Sequence, residues 1–152
     1  MVRRWIIFFM VALVLSGLTA FALETELGWL VKGWPFLRGG PLYGWVLRVY
    51  AALRDTNIRY PFLAYGYDWL AFAHLVIAVA FVGPLRDPVR NKWVIEFGMI
   101  ACIMVFPLAF IAGAVRGIPI YWRLIDCSFG VVGLVPLSVC YRRIRMLEGF
   151  VG

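Results

Sequence analysis

Residues 60–116 read YPFLAYGYDWLAFAHLVIAVAFVGPLRDPVRNKWVIEFGMIACIMVFPLAFIAGAVR. This stretch holds two apolar runs, residues 61–83 and residues 93–115, which are joined by the basic turn 83–92. A helix needs about 20 mostly apolar residues to cross a bilayer, and each run is at least that long. The stretch therefore predicts a hairpin of two transmembrane helices.

Two further apolar runs lie outside the hairpin. Residues 120–141 form one, and residues 5–23 form another that follows a pair of arginines. The N-terminal run has two interpretations, because Ala-Phe-Ala at residues 20–22 fits a signal-peptidase site: it is either a cleaved secretory signal or a retained anchor, and we favour the anchor. The predicted fold is all-α, an integral membrane bundle of four transmembrane helices in a single domain of residues 1–152, or of three helices after cleavage.

The composition also indicates a membrane environment. Hydrophobic residues make up 64% of the chain, and the mean hydropathy is +0.88, whereas soluble domains are about 45–50% apolar. The net charge of +7 comes from basic residues at the ends of the apolar runs. This placement fits topology signals and anionic headgroups rather than nucleic acid. The expected partners are membrane lipids, with other membrane-protein subunits or self-association as alternatives.

Charge placement predicts the orientation of the spans. One side carries most of the basic residues that lie close to span ends, namely Arg3, Arg4, Arg86, Arg90, Lys92, Arg142, Arg143 and Arg145. The opposite short loop carries only Arg116 and Arg123. The positive-inside rule then places both termini in the cytoplasm, or the N-terminus outside if residues 1–22 are cleaved.

Residues 24–60 form the one long connection, and it is rich in aromatic residues and glycine. Residues 41–53 have apolar side chains at helical spacing, and Pro41 suits a first helical turn. At about 13 residues this helix is too short to span a bilayer, so we expect an interfacial helix with aromatic anchors. Two roles stay open for the segment: a cap over the outer end of the bundle, or a lid over a site.

Small residues mark the faces on which the spans are expected to pack, because they let membrane helices approach closely. In the second span this face holds Ala64, Tyr67, Ala71, His74 and Ala78. In the third it holds Gly98, Cys102, Ala109 and Ala112. In the fourth it holds Asp126, Gly130, Gly133, Leu137 and Cys140. Val79 is expected to face lipid.

The basic turn has a predictable local chemistry. Asp87 followed by proline resembles an N-cap and a first helical residue, so we expect the third helix to start there, before Trp93. Glu96 lies four residues after Lys92 and is expected to pair with it near the cytoplasmic surface. Pro107 is expected to kink the third helix.

Motifs for cofactors and catalysis are missing from the sequence. Cys102, Cys127 and Cys140 fall inside predicted spans without a C-x-x-C pair, so we interpret them as small buried hydrophobic residues. A single histidine argues against bis-His haem and most His-rich metal sites. The sequence has no phosphate-binding loop, no G-x-S-x-G and no H-E-x-x-H. We therefore expect no cofactor and no metal, and the sequence names no catalytic residue.

Ionisable residues inside predicted spans are the best site candidates. A charge in hydrocarbon costs about 2.5–3.5 kcal/mol even on insertion scales, so such residues face inward and find partners. Three of these residues are expected to converge in the outer half of the bundle, with two arginines at the rim and one tyrosine beside them. The candidates for a ligand or proton site are Tyr67, Asp68, His74, Arg116, Arg123 and Asp126.

This cluster has a functional and a structural interpretation. As a site, two acids and an imidazole could relay protons, and the arginines could hold an anionic head group. As structure, Asp126 would pair with Arg123, Asp68 would pair with Arg116, and His74 would donate to a backbone carbonyl. The leading hypothesis is a non-enzymatic accessory subunit or a lipid- or small-molecule-binding module. The alternative is a small transporter or membrane enzyme, and an ion channel would need oligomerisation.

Overall fold

The computed structural model describes residues 1–33 and 39–148. Among these residues the regular structure is helical throughout and contains no β-strand. The α-helices are α1 (Val2–Phe21), α2 (Leu23–Gly33), α3 (Pro41–Arg59), α4 (Tyr65–Ala80), α5 (Val82–Arg86), α6 (Lys92–Pro107), α7 (Gly113–Val115) and α8 (Ile120–Glu148). The 3-10 turn Pro61–Ala64 precedes α4, and the π-helical segment Leu108–Ala112 joins α6 to α7. The predicted all-α fold is confirmed.

Four helical stretches of the described chain are long and apolar enough to cross a membrane. They are Val2–Phe21, Pro61–Arg86, Lys92–Val115 and Ile120–Leu147. The four predicted spans therefore have helical counterparts. The last stretch continues past residue 141, where the apolar run ends, because the arginines that follow are good helix formers and keep the helix going.

The chain forms two compact units. Unit 1 comprises Met1–Ala12 and Ile77–Gly152, of which residues 149–152 lie outside the described residues. Unit 2 comprises Leu13–Val76, of which residues 34–38 lie outside the described residues. The single transmembrane domain stays a prediction.

In unit 1, α6 and α8 pack through the small residues that the sequence singled out. A Cβ added at Gly130 would lie 2.6 Å from the carbonyl oxygen of Cys102, and one at Gly133 would lie 2.7 Å from the Cys102 sulfur. A Cβ at Gly98 would lie 2.9 Å from Leu137 Cδ1. The two helices can approach this closely only because these positions lack side chains. The predicted packing faces of the third and fourth spans are confirmed.

All three cysteines of the chain are buried in unit 1, as the sequence predicted. Cys102 lies in the contact between α6 and α8, and Cys127 is 5% exposed. Cys140 is fully buried, and its thiol donates a hydrogen bond to the carbonyl oxygen of Val2 at 3.6 Å. Each thiol thus packs as a small apolar side chain.

The turn between α5 and α6 corrects one prediction. Asp87 follows α5, and its Oδ1 accepts a hydrogen bond from the backbone N–H of Arg90 at 3.0 Å, so it caps a turn and not a helix. The Asn91 amide nitrogen donates to the carbonyl oxygens of Gly83 and Asp87, at 3.2 and 2.9 Å. With residues 87–91 held in this turn, α6 begins only at Lys92. The expected N-cap at Asp87 was wrong, because the carboxylate of Asp87 accepts a hydrogen bond within the turn.

Pro107 ends the regular part of the third span. It is the last residue of α6, and the backbone continues as the π-helical segment Leu108–Ala112 before α7. Proline supplies no N–H for the helical ladder, so a change of helix type at this position has a direct local cause.

In unit 2, residues 24–33 and 39–60 fold into more helix than the sequence predicted. The helix α2 was not predicted, and α3 has 19 residues and ends at Arg59, whereas its prediction ended at residue 53. Asp55 and Arg59 form an exposed ion pair at 2.9 Å, which supports the added last turn. The two helices pack where Gly28 meets the ring of Tyr50, since a Cβ at Gly28 would lie 3.2 Å from Tyr50 Cε2.

Within unit 2 the last part of α1 packs on α4. A Cβ added at Gly17 would lie 2.9 Å from the Ala71 carbonyl oxygen and 3.2 Å from His74 Cβ. Ala71 is fully buried. The last part of α4 belongs to unit 1, where Ala78, on the same face, is 3% exposed and Val79 is 69% exposed, as expected of a residue that faces lipid. The predicted packing face of the second span is confirmed.

Candidate functional site

The six candidate residues fall into the two units. Tyr67, Asp68 and His74 belong to unit 2 and lie on α4. Arg123 and Asp126 on α8, and Arg116 in the preceding loop, belong to unit 1. The convergence of the two groups stays a prediction. Their geometry is described within each unit.

His74 has a structural contact. Its Nδ1 lies 2.7 Å from the carbonyl oxygen of Leu70, one turn earlier on α4. A carbonyl oxygen can only accept, so Nδ1 carries the proton and donates it. This is the contact that the structural interpretation expected. The Cβ of His74 also packs beside Gly17, so the imidazole stem forms part of the contact between α1 and α4.

Tyr67 joins a hydrogen-bond network across three helices of unit 2. Its hydroxyl donates to Asn57 Oδ1 on α3 at 2.7 Å, and Asn57 Nδ2 donates to Glu24 Oε2 on α2 at 2.6 Å. The ionised carboxylate can only accept, which fixes the amide orientation and requires the tyrosine to be the donor. All three side chains are partly buried. The network therefore ties α2 and α3 to the start of α4.

A usable signal for this network is present in the sequence. The apolar face of α3 includes Val46, Tyr50 and Leu53, and Asn57 continues it four residues further on. The predicted helix ended at residue 53, so Asn57 lay outside it. A polar amide on an otherwise apolar helical face is a reason to look for a buried partner.

Asp68 lies in an open groove of unit 2 with a volume of about 300 Å³. Its lining consists of one carboxylate and four aromatic side chains: Phe21, Tyr65, Asp68, Trp69 and Phe72. Asp68 is partly exposed, and within the described part of the chain it has no hydrogen bond and no ion pair. The predicted pair of Asp68 with Arg116 stays a prediction, because Arg116 belongs to unit 1. Within unit 2 the carboxylate of Asp68 lies among aromatic rings.

The groove follows from the helical period. Residues 65, 68, 69 and 72 are spaced by three and four, so they share one face of α4, separate from the packing face that carries Ala71. The indole of Trp69 stands edge to face with Tyr65 at a centroid distance of 5.9 Å and with Phe72 at 5.7 Å. Phe21, at the end of α1, completes the lining.

The electrostatics of this groove favour a cation. Aromatic ring faces carry partial negative charge and attract ammonium groups, and a carboxylate adds a full negative charge. An apolar wall lowers the local dielectric and strengthens both attractions. The arrangement can therefore bind a positively charged group that has an apolar coat.

In unit 1, Arg123 has a structural role. Its Nε donates to the carbonyl oxygen of Ile118 at 2.6 Å, and its stem lies over Gly113, where an added Cβ would be 3.0 Å from Arg123 Cδ. The side chain thus clamps the loop between α7 and α8. Among the described residues no ion pair joins Arg123 to Asp126, so that predicted pair was wrong. The carbonyl oxygen of Ile118 can accept this hydrogen bond because Gly117, with φ of +67°, turns the chain back toward α8.

The role of Asp126 and Arg116 in a site stays a prediction. Asp126 is partly buried, and it has no hydrogen bond to another residue in the described part of unit 1. Arg116 is exposed just after α7. Across residues 1–33 and 39–148, no three His, Cys, Asp or Glu side chains come together in a way that could hold a metal ion.

The fold and composition define a polytopic helical protein with four candidate membrane spans. Among the six candidate residues, Asp68 lines the aromatic groove of unit 2. Comparisons with protein-family models, with curated proteins and with solved structures found no match.

Proposed function

We propose that the protein is a non-enzymatic integral membrane protein that binds an amphiphile through its ammonium group at Asp68. The observation that carries this proposal is the carboxylate without a described partner among four aromatic side chains. An anion in apolar surroundings costs free energy that a bound cation recovers. Ring faces add about 0.5–2 kcal/mol of cation–π attraction.

The groove chemistry selects among cations. Calcium takes six to eight oxygen ligands and magnesium demands a near-octahedral set, whereas the groove supplies one carboxylate and aromatic rings. An alkylammonium group matches this lining, because its methyl or methylene coat contacts the rings while its charge faces Asp68. Binding without a reaction is proposed, since the sequence has no phosphate-binding loop, no G-x-S-x-G and no H-E-x-x-H.

An amphiphile is favoured because the groove lies on an exposed apolar surface of the candidate span Pro61–Arg86. Phe72 and Val76 continue the exposed surface away from Asp68, at 52% and 49% exposure. A hydrocarbon tail could follow these residues while the head group occupies the groove. Two sources share this chemistry: a membrane lipid with an ammonium head group, and a free organic cation.

The substitution Asp68→Asn tests the proposal. The neutral amide keeps the shape of the groove and removes its charge, so we expect affinity for octyltrimethylammonium to fall at least about tenfold, a loss of about 1.4 kcal/mol. Isothermal titration of the detergent-purified protein measures this affinity. Trp69→Leu should also weaken binding, whereas Trp93→Leu, at an exposed tryptophan of unit 1, should not.

Two further probes identify the source of the ligand. Retention of phosphatidylcholine by the wild type but not by Asp68→Asn, in native mass spectrometry, would identify a lipid. Binding of tetramethylammonium with similar affinity would identify a free cation. If Asp68→Asn binds octyltrimethylammonium as tightly as the wild type, the proposal is wrong.

The charge asymmetry supports a topology with both termini in the cytoplasm, which puts residues 54 and 116 outside and residue 90 inside. Single cysteines at these exposed positions, in a background without the three buried cysteines, should react accordingly. Arg54→Cys and Arg116→Cys should label with a membrane-impermeant maleimide on intact cells, and Arg90→Cys only after lysis. Labelling of positions 54 and 90 from the same side would exclude the four-span topology.

A further inference from the structure

One end of unit 1 gathers arginine side chains. The Arg3 guanidinium donates to the Arg86 carbonyl oxygen at 3.4 Å, and the Cys140 thiol donates to the Val2 carbonyl oxygen. These contacts bring the start of α1, the end of α5 and the last turns of α8 together. The exposed arginines on these segments and in the adjoining turn are Arg3, Arg4, Arg86, Arg90, Arg142, Arg143 and Arg145. Within the described chain none of these guanidinium groups forms an ion pair.

An open groove on α8 leads to this basic end. Its volume is about 340 Å³, and its lining consists of apolar residues, one hydroxyl and one guanidinium: Val131, Leu134, Val135, Ser138, Val139 and Arg142. Residues 131, 135, 138 and 142 are spaced by three and four, so the groove runs along one helical face. At 1.5 Å per residue its length is about 16 Å.

We propose that this groove holds one acyl chain of an anionic phospholipid whose phosphate binds Arg142. A length of about 16 Å matches one leaflet of a hydrocarbon core that is about 30 Å thick. The apolar wall then covers the chain, and the single guanidinium lies at the end where a head group would be. Arginine suits a phosphate because its planar fork donates two parallel hydrogen bonds.

Charge complementarity selects an anionic head group. The arginines around Arg142 have no described acidic partner, and clusters of basic residues beside a transmembrane helix attract anionic lipids. A zwitterionic head group binds these arginines less strongly, because the arginines repel its ammonium group. An extended protein segment is a poorer occupant, because its backbone N–H and C=O groups would find no partners along the apolar lining. A helix satisfies its own backbone groups, but its apolar face would leave the guanidinium of Arg142 without an anion.

This site is distinct from the one at Asp68 in chemistry and in location. It lies in unit 1 and takes an anion, whereas the groove of unit 2 takes a cation. Loss of one therefore leaves the other unchanged, and the two proposals fail separately.

Native mass spectrometry of the full chain with phosphatidylglycerol and phosphatidylcholine of equal chain length tests the site. Arg142→Gln should lower the fraction of phosphatidylglycerol-bound protein about tenfold at a fixed lipid concentration and leave phosphatidylcholine binding unchanged. Arg145→Gln is the matched control, since it removes the same charge from the same helix outside the groove, and it should change binding less than twofold. Val135→Trp keeps every charge and fills the groove, so it should also abolish specific retention.

Three outcomes would overturn the proposal. Equal losses for Arg142→Gln and Arg145→Gln would show diffuse attraction without a site. Full retention in Val135→Trp would show that the groove holds no chain. Displacement of the lipid by inorganic phosphate or by a soluble acidic peptide would show that the basic end binds anions without the groove. Thermal melting of each variant confirms that it is folded before the comparison is made.

Discussion

Gly130→Leu is expected to destabilise the protein by at least about 3 kcal/mol, or roughly 6–12 °C in melting temperature. Even a Cβ at this position would lie 2.6 Å from the carbonyl oxygen of Cys102. That oxygen belongs to the backbone of α6 and cannot rotate away as the tip of a side chain can. Relief therefore requires α6 and α8 to move apart, and this loses the close packing along their whole contact.

Val79→Leu is the matched control for this change. It adds a methylene in the same unit, on a residue that is 69% exposed, so we expect a change within about 0.5 kcal/mol. The destabilisation by Gly133→Ala should lie between those of the other two substitutions. The added Cβ would lie 2.7 Å from the Cys102 sulfur, and that side-chain atom can shift. Melting curves in detergent give the order of stability of the three variants. If Gly130→Leu and Val79→Leu melt together, the assignment of helix faces is wrong.

The helical period explains why this contact was predictable from the sequence. Run length gives the number of spans, and spacings of three and four show which residues share a face. Small residues in membrane helices then mark where a neighbour comes close. Gly130 and Ala71 were identified on these grounds alone, and both are buried as predicted.

Helix ends were harder to predict because local hydrogen bonds decide them. The carboxylate of Asp87 could cap either a helix or a turn. The two hydrogen bonds donated by the side-chain amide of Asn91 favour the turn. Residues 54–59 are polar except for Ile58, so hydropathy gave no reason to extend α3, yet Asp55 and Arg59 support its last turn. Neither preference can be read from apolar spacing.

The candidate site was predictable only in part. Asp68 was named as a charge inside a span, and its aromatic neighbours on α4 follow from spacing. The contribution of Phe21 depends on how α1 packs in unit 2, which the sequence does not specify. Arg123 was assigned to Asp126 by proximity along the helix, but the loop after Gly117 presents a carbonyl oxygen that the sequence pattern cannot locate.

Asn57→Leu is the second change with a large expected effect. The substitution keeps the branched shape of the side chain but removes the donor to Glu24 and the acceptor for Tyr67. A hydrogen bond to a charged group contributes about 1.5–3 kcal/mol and one between neutral groups about 0.5–1.5 kcal/mol. Because all three side chains are only partly buried, the expected destabilisation is near the lower end of that sum, about 2 kcal/mol.

The same network makes a prediction about the double variant. If Asn57→Leu destabilises by leaving a carboxylate without its donor, then adding Glu24→Leu should recover part of the loss, because it also removes the desolvation cost. Asp55→Ala is the control on the same helix: it breaks an exposed ion pair and should cost no more than about 0.5 kcal/mol. Melting temperatures give the double-mutant cycle, and amide hydrogen exchange shows whether α2 and α3 open first. A cost for Asn57→Leu no larger than that of Asp55→Ala would mean that the network does not hold the helices of unit 2 together.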